Sequence, residues 1–279
     1  MSNAEIRPLT LAEIEQLLDW AADEGWNPGL ADTEPFQAAD PGGHFGCFID
    51  GQMAAGLSAV RYGDAFGFIG LYICHPQFRG KGHGRRLWDH AISHLGDRTI
   101  GLDGVPAQQN NYARMGFVTT YSTRRWSGRF PALPATHSDV VTITPELLEA
   151  VIRFDGRAFP APRPAFLEAW CRTPHVALAI ERMGRIAAYG VIRRCREGFK
   201  IGPLFAESDA DAERLFSALA REAGSSLIAI DVPETQSSFA NHLSGLGFGQ
   251  GFITARMYKG APPRLEGRLV YGVTTLELG

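Results

Sequence analysis

The sequence predicts a mixed α/β chain built from two tandem copies of one fold. Three observations predict it. Short apolar runs bounded by Gly, Pro and Asp alternate with stretches whose apolar residues recur three and four positions apart, the marks of strands and amphipathic helices. The 279 residues suit two domains, at about 100–200 residues each. The second half also repeats the order of the first. Residues 175–180 echo residues 44–49, and Gly247-Phe248 echoes Gly116-Phe117, both at an offset of 131 (175 − 44 and 247 − 116). Residues 186–188 against 53–55, and 228–233 against 100–106, fall between them in the same order, as repeated units do.

The elements of the first copy follow in order. Residues 6–9 predict a short strand. Thr10-Leu11-Ala12-Glu13 is a capping box, whose hydroxyl and carboxylate satisfy N–H groups at a helix start. Leu11, Ile14, Leu17, Leu18 and Ala21 form that helix's apolar face. Gly25, Pro28 and Gly29 break it, and residues 32–39 predict a second, short helix. Residues 44–49 and 53–61 predict a hairpin turning at Asp50-Gly51. The apolar run 66–74 predicts a buried strand that Pro76 stops. Leu87, Ala91, Ile92 and Leu95 mark the next helix, residues 98–103 a strand, and residues 108–116 a short helix ending at a glycine. Residues 118–126 predict a strand completing the first sheet. Gly128, Pro131 and Pro134 mark a junction, which places the domains at 1–130 and 140–279 with 131–139 as linker.

The chemistry concentrates between residues 71 and 89. Gly80, Gly82 and Gly84 let the backbone curl and approach a ligand with no Cβ in the way. They feed a helix N-terminus, where unpaired N–H groups and the helix dipole favour an anion. Arg79, Lys81, Arg85 and Arg86 add positive charge. The stretch predicts a diphosphate cradle. A P-loop would need Ser or Thr after Lys81, and a dinucleotide fingerprint needs Gly-x-Gly-x-x-Gly where this chain has Gly-x-Gly-x-Gly. Strand, His75-Pro76, Gln77-Phe78-Arg79-Gly80-Lys81-Gly82-His83-Gly84 and amphipathic helix, in that order, resemble the acetyl-CoA loop of the GNAT superfamily of N-acetyltransferases. Tyr112-x-x-x-Gly116-Phe117 resembles a second segment of that family.

The resemblance implies two GNAT-like domains, each a mixed, mostly antiparallel twisted sheet flanked by helices. It implies acetyl-CoA as co-substrate, held by Gln77, Arg79, Gly80, Lys81, Gly82, His83, Gly84 and Asn111. It implies a backbone N–H at Ile73 or Cys74 that polarises the thioester carbonyl, and Tyr112 as the acid that protonates the leaving thiolate. It also implies that one wall of the acceptor site lies between the first two helices. There Glu24, Trp26 and Asn27 are candidate substrate contacts, and Asp32, Glu34 and Asp40 add acid, which suits an ammonium. The run 66–72 carries no carboxylate where many members of the family have a Glu, so the base is open. Asp103 could take a proton directly or through water, anchor the acceptor, or cap a turn. His75 is a further candidate. Cys74 on its apolar strand is a poor nucleophile.

The second copy differs. Residues 201–209 carry no glycine triplet and no arginine, and they end in acids. Leu243 precedes Gly247 by four residues, where the first copy has Tyr112. This half is expected to be degenerate, to pack against the first and to supply part of the acceptor pocket. A net charge of −3 gives no field for nucleic acid. No apolar run reaches a membrane span, the first residues lack a signal-peptide pattern, and four Cys without Cys-x-x-Cys spacing point to a reducing cytoplasm and away from a metal site. The reading is a cytoplasmic, metal-free acetyltransferase, monomer or homodimer, acting on a small primary amine without nucleic acid or membrane. A protein or peptide N-acetyltransferase and an acyl-CoA-binding sensor are the alternatives.

Overall fold

The computed structural model describes residues 4–131 and 139–279. The first half runs β1 (Ala4–Pro8), α1 (Leu11–Asp23), α2 (Thr33–Ala39), β2 (His44–Ile49), β3 (Gln52–Tyr62), β4 (Phe66–Cys74), α3 (His83–Leu95), β5 (Thr99–Gly104), α4 (Pro106–Arg114) and β6 (Val118–Arg129). The second runs β7 (Val140–Thr142), α5 (Pro145–Ala158), α6 (Pro164–Trp170), β8 (Val176–Arg182), β9 (Arg185–Arg194), β10 (Phe199–Ala206), α7 (Asp209–Glu222), β11 (Leu227–Pro233), α8 (Ser237–Gly245), β12 (Gly249–Lys259) and β13 (Val270–Gly272). The capping box forms as read: Thr10 Oγ1 accepts from Glu13 N and Glu13 Oε2 from Thr10 N. Helix α4 starts earlier than the pattern predicts, because Pro106 fits the first helical position, where no N–H is needed.

The described strands join in one sheet, ordered β1-β2-β3-β4-β5-β12-β6-β11-β10-β9-β8-β7, with β13 beside β10. The pairs β4/β5 and β10/β11 are parallel. This order corrects one expectation. Strand β6 does not complete the first sheet. It lies between β12 and β11, and β12 of the second half takes the place beside β5. The two halves have exchanged their last strands. Residues 127–129, read as the start of the junction, are strand paired to residues 227–229, while residues 132–138 of the expected linker lie outside the described residues.

Two cross-strand ion pairs fix the exchange. Arg125 of β6 donates through Nε and Nη2 to both oxygens of Asp231 on β11, at 2.8 and 2.9 Å. Arg256 of β12 does the same to Asp103 on β5, at 2.8 Å on each oxygen. In both cases arginine and aspartate stand directly opposite in register. The strand order is palindromic when the halves are interchanged, so the pairs are equivalents. The cores follow the exchange: Met257 of β12 packs with Leu87, Trp88 and Leu95 of α3, and Trp126 of β6 packs with Leu215 and Phe216 of α7. A further core joins Leu17 and Phe36 of the first half to Phe154, Phe166 and Trp170 of the second. Among the described residues no helix is long and apolar enough to cross a membrane.

Burial raises the Asp231 carboxyl, but the Arg125 guanidinium outweighs it and holds that group below the usual carboxylate range. Removing one partner strands the other charge in the sheet. Arg125→Met is expected to cost about 3–5 kcal/mol in urea denaturation, and adding Asp231→Leu should recover most of that loss.

Candidate active site

Strands β4 and β5 pair only from Phe66 opposite Thr99 to Ile69 opposite Leu102. Beyond this point they part. A bulge on β4 turns the strand here: Leu71 adopts φ 48° and the register against β3 slips between Gly56 and Ser58. The wedge holds a cavity of about 90 Å³. Gly70, Leu71 and Tyr72 line one side, Asp103 the other, and Tyr112 of α4 one end. Trp26, Phe252, Thr254, Leu276 and Glu277 also line it. Ile73 and Cys74, where the carbonyl-polarising N–H was expected, are not among the lining residues.

The glycine-rich turn lies at the end of β4. A single 3-10 turn, Pro76–Phe78, leads into Gly80 at φ 77° and Gly82 at φ 83°, left-handed conformations that a side chain resists. Gly82 caps α3 with no side chain on the first-turn N–H groups. Gly84 lies close to Tyr72: a Cβ there would stand 2.8 Å from the Tyr72 hydroxyl, which would have to shift. Lys81 Nζ donates to the Gln77 carbonyl, and Arg79 Nε to the Cys74 carbonyl, so both side chains fold back on the turn. His83 packs edge-on to Phe78. A separate hollow of about 550 Å³ lies between α3 and α4, lined by Arg85, Trp88, Asp89, Asn111, Arg114 and Lys259, with Arg85 paired to Asp89. Asn111 Nδ2 donates to Gln108. Trp88 stacks on Tyr112 at 5.4 Å between ring centroids. The turn thus leaves the first-turn N–H groups of α3 without side-chain partners, and the splayed strands leave a slot that reaches Tyr112.

Tyr112 and Tyr72 are both pushed up to about 12 by burial, and each stays a proton donor at neutral pH. Cys74 is raised by burial and donates weakly to the Ala54 carbonyl. Asp103 has a fully buried side chain, and both its oxygens are committed to Arg256. Burial pushes its carboxyl up against the pull of Arg256, but the two-pronged fork is the geometry of the ionised form. The expected use of Asp103 as base or acceptor anchor therefore meets a group already engaged as the counterpart of Asp231.

The acidic wall also reads differently in three dimensions. Of the three residues singled out there, Trp26 lines the cavity. Asn27 has structural partners: its amide donates to the Glu197 carbonyl and accepts from the Glu197 N–H, tying the loop to the β9–β10 turn. Glu24 pairs with Arg79 of the glycine turn at the surface. Asp32 is wholly buried against Arg193, Asp40 accepts from the Arg61 and Gly42 N–H groups, and Glu34 meets Arg172. Each of these acids already serves a structural partner.

In the second half, β10 and β11 pair from residues 199–201 to 228–230 and then part in the same way. Here the wedge is filled. Strand β13 pairs with β10 through Leu204 and Phe205, and Val273 N donates to the Asp231 carbonyl of β11. The chain then crosses to the first half. It passes over Gly202, where a Cβ would lie 2.4 Å from the Thr274 carbonyl oxygen, and over Gly70, where a Cβ would lie 1.9 Å from that of Glu277. Ser58 Oγ and Tyr62 OH donate to the Glu277 and Leu278 carbonyls. This crossing carries Leu276 and Glu277 to the first cavity, and β12 carries Phe252 and Thr254. Sequence reasoning singled out none of the four. They lie far along the chain, in the copy whose loop had lost its glycines. The one available signal was Gly202, which repeats Gly70 at nearly the common offset, 132 (202 − 70). Among the described residues no cluster of three or more His, Cys, Asp or Glu is placed to hold a metal ion.

Comparison with known proteins agrees with this architecture. Residues 11–117 match the profile described as "Acetyltransferase (GNAT) family", and residues 151–272 that described as "Acetyltransferase (GNAT) domain". The holothin acyltransferase of Pseudoalteromonas sp. (strain SANK 73390) is 36% identical over 276 residues, 98% of this chain and 94% of that protein. Among solved structures, a putative acetyltransferase from Pyrococcus horikoshii superposes with a TM-score of 0.83 at 23% identity, covering 99% of this chain and 96% of that one. A tandem GNAT protein from the clavulanic acid biosynthesis pathway superposes with a TM-score of 0.62 at 19% identity, covering 94% and 100%. The open wedge, the glycine turn and two profile matches in one chain lead to a single conclusion: this chain belongs to the GNAT acetyltransferase family, with one GNAT domain in each half.

Proposed function

We propose that the chain is an acetyl-CoA-dependent N-acetyltransferase that moves the acetyl group directly to the primary amine of a small molecule. The observation that carries this reading is the contrast between the wedges. One is open, lies beside the glycine turn and is lined by Tyr112. The other is filled by β13 and has Leu243 in the equivalent helix. Only the first half can take a pantetheine arm. Turn N–H groups from Gly80 to Gly84 hold the diphosphate, and backbone N–H groups on the bulged stretch of β4 polarise the thioester carbonyl. Tyr112 protonates the departing thiolate.

Two observations favour a small acceptor over a peptide. The cavity is about 90 Å³, and Phe252, Thr254, Leu276 and Glu277 of the second half form part of its wall. The 36%-identical relative bears the name holothin acyltransferase, not that of a protein or peptide acetyltransferase.

Steady-state release of CoA against a panel of primary amines tests the proposal. Turnover on at least one amine is expected, and tight acetyl-CoA binding with none would favour a sensor. Tyr112→Phe should lower kcat by about 100-fold or more while leaving acetyl-CoA affinity nearly unchanged. Because burial pushes this phenol up to about 12, it remains protonated through neutral pH, so kcat should not fall on its account on the alkaline side until the pH nears 12. Gly82→Glu puts a side chain on a left-handed residue and a negative charge in the cradle. Calorimetry should show acetyl-CoA binding abolished, with the melting temperature lowered by about a few degrees by the strained backbone.

A further inference from the structure

The direct transfer proposed above leaves one role unassigned. The amine must lose a proton before its nitrogen can attack, and β4 offers no carboxylate to take it. Two carboxylates line the cavity. Asp103 is forked by Arg256. Glu277 is different: it is 3% exposed, its Oε2 is buried without a hydrogen-bond partner, and it forms no ion pair among the described residues.

Its charged surroundings are all on neighbouring elements. Arg125 of β6 is committed to Asp231, and Arg193 of β9 to Asp32. Lys200 of β10 donates to the Trp26 carbonyl. These three cations and the Cys195 thiol all feel the Glu277 charge without touching it. Asp103, Tyr72 and Tyr112 face the same cavity from β5, β4 and α4. Thr254, also on the cavity wall, has a buried Oγ1 without a partner. A buried carboxylate held near cations but bonded to none of them is costly unless something completes it. Glu277 is one of the residues that line the cavity.

We propose that Glu277, delivered to the first half by the segment that leaves the filled second wedge, is the catalytic base and the anchor of the acceptor ammonium. The proposal rests on the acetyltransferase reading and deepens it. Glu277 takes one proton from the ammonium. The freed lone pair forms the C–N bond as the thioester C=O π pair moves onto oxygen. Collapse of that intermediate breaks the C–S bond. The thiolate takes the Tyr112 proton, and the second nitrogen proton replaces it on Tyr112. Glu277 then releases its proton to solvent, so one ammonium and one thioester yield amide, thiol and one proton.

The test uses the full chain with acetyl-CoA and a primary amine that the wild type accepts. Glu277→Gln keeps the shape and removes the base. It should lower kcat/KM for the amine by about 100-fold or more at neutral pH, with acetyl-CoA affinity by calorimetry within about twofold of wild type. The deficit should shrink as pH rises toward the pKa of the amine, because more acceptor then arrives already neutral. Glu277→Asp should restore part of the rate. The proposal is overturned if the Gln variant turns over like wild type. It is equally overturned if the deficit is the same at every pH and comes with a lower melting temperature, which marks Glu277 as a structural strut. A wild type that binds acetyl-CoA and releases no CoA with any amine would sink the underlying reading, and this inference with it. An active wild type with an indifferent variant would sink this inference alone.

Discussion

Two Arg–Asp forks hold the sheet in its exchanged order, and the rest of the molecule depends on that order. A strand carrying Arg125 reaches Asp231 of the other half, and one carrying Arg256 reaches Asp103. Each pair is buried, directly opposite in register and doubly bonded, the arrangement in which a buried ion pair has its geometry fully satisfied. If β6 and β12 stayed with their own halves, β12 would not lie beside β5. Phe252 and Thr254 would then be absent from the cavity. The exchange therefore makes the second half part of the site.

Much of this was legible in the sequence. The capping box, the hairpin at Asp50-Gly51, the left-handed glycines and the proline that starts α4 are decided within a few residues, and local patterns read them well. The repeat was visible as well, and so was the loss of the glycine turn from the second copy. The exchange was not visible. A strand carries no mark of which neighbour it pairs with when both candidate neighbours are copies of each other. Residues 118–126 suit either position, and only the side chains opposite them decide.

Asp103 shows the same limit in a single residue. Read alone, a carboxylate at the end of a strand beside the reaction centre suggests catalysis. The repeat held the counter-argument, because Asp231 stands at the equivalent place in a copy that lacks the glycine turn and the tyrosine. A residue kept where the chemistry has gone belongs to the architecture. The acids around α2 repeat the lesson. Asp32 and Asp40 looked like a charged wall because their partners, Arg193 on the one hand and the 61 and 42 N–H groups on the other, are distant in sequence or on the main chain.

The asymmetry between the copies has a physical origin in how the chain continues after each exchanged strand. After β6 the chain passes on into the second half. After β12 it turns back as β13, fills the wedge beside β10, and crosses to β4. Only this second route brings a segment over both wedges. Its path requires bare backbone at Gly202 and Gly70, because the crossing main chain occupies the space where a Cβ would stand. Glycine at position 70 leaves room for the Glu277 main chain to cross β4, and Glu277 thereby joins the cavity wall. Filling one wedge and equipping the other are thus a single structural event: the segment that closes the second half to a thioester arm is the one that supplies the first half with the carboxylate its own strand lacks.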